Sequence, residues 1–138
     1  MSDLEKLKAW LQTYPHWQEQ ILVDVTQAVP GGIGLYPKGL QELSRREDVA
    51  GNLVIRFRWS FSLHRIAVCG QDSAQWLMAF QQWVFNQCRQ GLAPRFGDVP
   101  GQEQIRACEG SLISRKQGGQ TGYTVLLTAD FSKIYRGE

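Results

Sequence analysis

From Asn52 to Leu63 the chain alternates without a break. Leu53, Ile55, Phe57, Trp59, Phe61 and Leu63 share one parity, and Asn52, Val54, Arg56, Arg58, Ser60 and Ser62 take the other. Successive side chains of a strand point to opposite faces, so this pattern calls for a β-strand with one face buried. The period breaks at His64-Arg65: the apolar residues before it are odd-numbered, whereas Ile66 and Val68 are even-numbered. One inserted residue flips every side chain that follows, which predicts a β-bulge close to His64.

The other elements are arranged around this strand. Leu4, Leu7 and Leu11 follow helical spacing with Trp10 beside them, predicting a helix over residues 3–14. Ser2 is its N-cap, Asp3 and Glu5 suit the positive end of its dipole, and Pro15 stops it. Ile21, Val23 and Val25 predict a strand over 19–27. Residues 28–51 hold five glycines and two prolines with no sustained period. They read as a long loop, with a short helix over Gly39 to Glu47, and loops of this length are usually functional or disordered. Trp76, Leu77, Phe80, Trp83, Val84 and Cys88 form one broad apolar face, predicting a core helix over 72–90. Asp72 or Ser73 caps its start and Gly91 its end. After a Gly/Pro-rich connection over 91–103, strands over 104–115 and 121–134 form a hairpin through Lys116-Gln117-Gly118-Gly119-Gln120. The expected fold is α+β: a twisted, mostly antiparallel sheet of about four strands with two helices on one face, in the order helix, strand, loop, strand, helix, strand, strand.

A chain of 138 residues is most economically one domain. At that size it can bury roughly 68–70% of its unfolded surface, enough to fold without a disulfide or metal. Cys69, Cys88 and Cys108 are odd in number and share no close spacing, which argues against a disulfide framework and fits a reducing compartment. The start Met1-Ser2-Asp3-Leu4-Glu5-Lys6 lacks the pattern of a secretory signal, and no run of about 18 apolar residues exists to span a membrane. Synthesis in the cytosol is expected. A formal charge of +2 is too small to imply a polyanionic partner.

No constellation for bond-making chemistry stands out. His16 and His64 are the only histidines, and neither they nor the cysteines adopt metal-ligand spacing. His64 reads as structural, and His16 as packed at the helix end. Cys88 and Cys108 read as buried and inert, leaving Cys69 as the least unfavourable nucleophile. Gly31-Gly32-Ile33-Gly34 lacks the lysine-serine pair of a phosphate loop and reads as turns or a hinge. Arg56 and Arg58, with His64 on the same parity, define a positive sheet face. It suits either simple solvation or a subunit interface. Trp10 or Trp17 is a candidate interface anchor.

Several segments carry a resemblance to a known family. They are Gly34-Leu35-Tyr36-Pro37, Ser44-Arg45-Arg46-Glu47-Asp48-Val49 with Gly51-Asn52, and Gln75-Trp76-Leu77. Leu92-Ala93-Pro94 with Phe96-Gly97-Asp98, and Leu127-Thr128-Ala129-Asp130-Phe131, continue it. Together they resemble minor structural proteins from the morphogenesis modules of siphophages and clostridial-type prophages, of the minor capsid or tail-completion kind. The element order is also similar to that of siphophage tail-terminator proteins, which assemble into a hexameric ring at the end of the tail tube. The resemblance implies a non-enzymatic virion assembly protein without cofactor or metal, made in the bacterial host cytoplasm and carried into the virion. It implies self-association in a ring and docking to tail-tube or head–tail connector proteins. Tyr36, Arg45, Arg46, Glu47, Asp48, Arg56 and Arg58 are the contact candidates, and the mixed charges of Arg45 to Asp48 would fix register. Two other functions compete. One is a small-molecule-binding or enzymatic domain with an aromatic pocket lined by Trp59, Trp76 and Trp83. The other is a DNA-contacting protein using Arg56, Arg58 and Arg65, whose binding would fall steeply with salt.

Overall fold

The computed structural model describes residues 2–15, 20–23, 32–66, 73–116 and 120–137. Helix α1 spans Asp3–Leu11, and the Ser2 hydroxyl accepts the Glu5 N–H at 3.2 Å, the expected N-cap. Its buried residues Leu7, Trp10 and Leu11 keep helical spacing. The helix closes earlier than Pro15 requires, because the Thr13 and Tyr14 N–H groups bond to the Trp10 and Leu11 carbonyls, a tightened final turn.

Strand β1, Gln20–Val23, pairs in parallel with β2, Gly32–Glu47, which runs antiparallel to β3, Leu53–Ile66. The segment expected to be loop with a short helix over Gly39–Glu47 is therefore a 16-residue strand. Two interruptions concealed it. Register shifts at Pro37/Gly39 and Glu42/Ser44 leave Lys38 and Leu43 as extra residues, so the alternation changes phase twice. Gly39 accommodates the first shift at φ 145°. Gly32, Ile33 and Gly34 belong to this strand and are not turns.

The bulge expected near His64 is absent. Strand β3 pairs in unbroken register with β5, Gln120–Tyr135, from Leu53↔Tyr135 to Ile66↔Gly122. The apparent change of parity comes from Arg65, which takes an inward position in line with Phe61 and Leu63. Its guanidinium carbon lies 4.9 Å from the centre of the Trp76 ring, so the aliphatic stem is buried and the cation is placed over an aromatic face.

Helix α2, Ser73–Arg89, ends in a Schellman motif. The Leu92 N–H reaches the Gln87 carbonyl at 2.9 Å, the Gly91 N–H reaches that of Cys88 at 3.1 Å, and Gly91 has φ 73°. Of its two expected caps, Asp72 lies outside the described residues. A 3₁₀ turn over Pro100–Gln102 leads into β4, Gln104–Lys116, which pairs with β5. The sheet order is β1-β2-β3-β5-β4. The class is α+β as expected; the strand expected over 19–27 is β1, Gln20–Val23 among the described residues, and the unexpected β2 enlarges the sheet to five strands.

Both helices cover the face that carries Phe61, Leu63, Leu127 and Ala129. Trp10 stacks on Trp83 with ring centres 4.9 Å apart, Tyr14 meets Phe80 and Trp83 edge-on, and Trp76 stacks on Phe80. Where β4 stops opposite Asp130, residues 96–98 take over the β5 edge. The Asp98 N–H donates to the Ser132 carbonyl at 2.8 Å, and the Asp98 carboxylate accepts the Ile134 N–H at 3.0 Å. Gly97 permits this approach: a β-carbon there would overlap the Ser132 carbonyl oxygen and sit 3.0 Å from its nitrogen.

Candidate interaction surfaces

The sheet face away from the helices carries the even-numbered residues of β3. Arg58 stands directly opposite Asp130 on β5 and forms a bidentate pair with it, Nε to Oδ1 at 2.7 Å and Nη2 to Oδ2 at 3.0 Å. The Asp130 carboxylate raises the pKa of the Arg58 guanidinium through this hydrogen bond and its charge. Arg56 lies 3.9 Å from the same carboxylate and donates to the Gln102 carbonyl at 2.9 Å, tying β3 to the 3₁₀ turn. Further along, Tyr36 stacks on His64 with ring centres 5.1 Å apart. The two His64 nitrogens face the Ser62 hydroxyl at 3.2 Å and the Thr124 hydroxyl at 3.0 Å. Burial holds the His64 pKa below its ordinary value.

Tyr36, Arg56 and Arg58 thus share one face with His64. Arg65 does not join them: it is buried on the helix side against Trp76, so the three-arginine surface expected for DNA contact is divided between the two faces. Pairing with Asp130 further reduces the free positive charge of the open face.

Arg45, Arg46, Glu47 and Asp48 are brought together elsewhere, at the far end of the β2–β3 hairpin. Arg45 pairs with Glu42 across the second register shift. Arg46 and Glu47 are exposed. Asp48 builds the turn: Oδ1 accepts the Ala50 and Asn52 N–H groups, each at 2.9 Å, and Oδ2 accepts from the Asn52 amide at 3.2 Å. The Asn52 backbone bond leads in lowering the Asp48 pKa, helped by the Asn52 side chain, the Ala50 N–H and the Arg46 charge. Gly51 closes the turn at φ 83°, and Val49 is left fully exposed at its apex.

A third surface was not expected from the sequence. A groove of about 690 Å³ runs between α2 and β4. Val84, Phe85, Cys88, Ile105 and Ala107 give it an apolar lining, while Arg56, Arg89 and Arg106 bring positive charge to it. Glu103 also lines it, but Oε1 of its carboxylate is engaged by the Phe96 and Gly97 N–H groups. The helix answers outward carbonyls of β4 on one side: Cys88 Sγ donates to Ile105, and Gln81 Nε2 donates to Ala107 and Cys108. A shallower depression of about 440 Å³ at Met78, Gln81, Gln82 and Phe85 adjoins it. Met78 and Phe85 lie outside the apolar face of α2, and that off-phase placement is the sequence signal for this surface.

The tryptophans proposed for an aromatic pocket are packed instead. Trp76 and Trp83 join the ring stack between the helices, and Trp59 donates to the Asp3 carboxylate at 2.9 Å. Trp10, a candidate interface anchor, is buried and donates to Gln87 at 3.0 Å. Cys88 and Cys108 are free and half-buried, and burial pushes the Cys88 thiol up. Trp17, His16 and Cys69 lie outside the described residues. Among the described residues, no three His, Cys, Asp or Glu side chains cluster to hold a metal. No helix among them is long and apolar enough to cross a membrane. No protein-family model matches the sequence, and no curated protein is significantly similar to it.

Proposed function

We propose that this chain is a non-enzymatic assembly protein of a phage or prophage particle. It acts at the head–tail or tail-end junction by forming a ring and docking tube or connector proteins. The observation that carries this reading is the β2–β3 hairpin. It is a 16-residue strand folded against a 14-residue one, ending in a turn that Asp48 holds in shape. Its outer edge beyond Leu35 is not covered by β1. Pro37, Lys38 and two register shifts on that edge resist indiscriminate strand pairing. A turn of fixed shape at the end of the sheet, with charges of both signs and an exposed valine at its apex, suits docking better than it suits a pocket.

A heterologous ring needs two different patches on each subunit, and the hairpin end and the α2–β4 groove are two separate exposed surfaces. The exposed Met78, Phe85 and Leu92 supply apolar area for contact. The test is multi-angle scattering over a wide concentration range, alone and with tail-tube and connector proteins from the neighbouring reading frames. Closed oligomers, or stable complexes with those proteins, are expected. A chain that stays monomeric and binds neither would refute the proposal.

A further inference from the structure

We draw no further inference here: the strongest candidate, the groove between α2 and β4 with the adjoining exposed face of α2 at Met78 and Phe85, is lined by Glu103 as well as by Arg56, Arg89 and Arg106, and nothing in the structure shows what covers it.

Discussion

Arg58 and Asp130 offer the sharpest test of how the open sheet face is held. The two residues are cross-strand neighbours, with the carboxylate side chain 6% exposed and the arginine side chain 32% exposed. A fully exposed ion pair contributes about 0–1 kcal/mol. Breaking a fully buried one by removing a single partner costs about 3–5 kcal/mol. This pair lies between those limits, since one side faces water and the other does not. Two charge-assisted hydrogen bonds at 2.7 and 3.0 Å place the coupling at about 2 kcal/mol. The perturbation is a double-mutant cycle of Arg58→Ala, Asp130→Ala and the combination, read by urea denaturation. Each single substitution is expected to cost about 2–3 kcal/mol, and the double less than their sum by about 2 kcal/mol. For a chain of 138 residues, 1 kcal/mol corresponds to about 3.5 °C in Tm. Arg56→Ala, at 3.9 Å from the same carboxylate, is expected to show less than about half that coupling. Coupling below about 0.5 kcal/mol for Arg58 would mean that the pair behaves as a surface contact, and the argument from Asp130 burial would fail.

Two further outcomes follow from the same geometry. Gly97→Ala is expected to cost about 1–3 kcal/mol by driving a β-carbon into the Ser132 backbone, with hydrogen exchange at Ile134 speeding up as residues 96–98 lift away; unchanged exchange would show that the edge is held otherwise. His64 titrates below its ordinary value in the folded chain, so its neutral form is the one the fold favours. Its contribution is therefore complete above the unfolded histidine pKa and is lost as pH falls through the lowered folded value. His64→Gln should flatten that part of the stability–pH curve, and an unaltered curve would remove His64 as its source.

The hairpin shows most clearly what sequence pattern can and cannot convey. The alternation of β3 was legible because one strand with one buried face repeats every two residues. Its partner β2 was not, because Lys38 and Leu43 are each inserted once and the phase shifts twice within ten residues. Glycines and prolines in that segment then imitated a loop. At Arg65 the error ran the other way: a charged residue at an inward position looked like a bulge, since nothing local announces that Trp76 will lie over it. Of the contact candidates, Arg45 to Asp48 were adjacent in sequence and stayed together at the hairpin end. Arg58 met its partner only through a register spanning 72 positions.

What the chain's own order of residues determined was local: the capped first helix, the apolar face and glycine stop of the second, the alternating strand and the α+β class. Each rests on spacings of a few residues, where backbone geometry alone dictates which side chains share a face. The tertiary structure decided the rest: the fifth strand, the buried carboxylate at Asp130, and the groove beside β4. These depend on which distant segments become neighbours, and such pairings leave no periodic mark on the segments themselves.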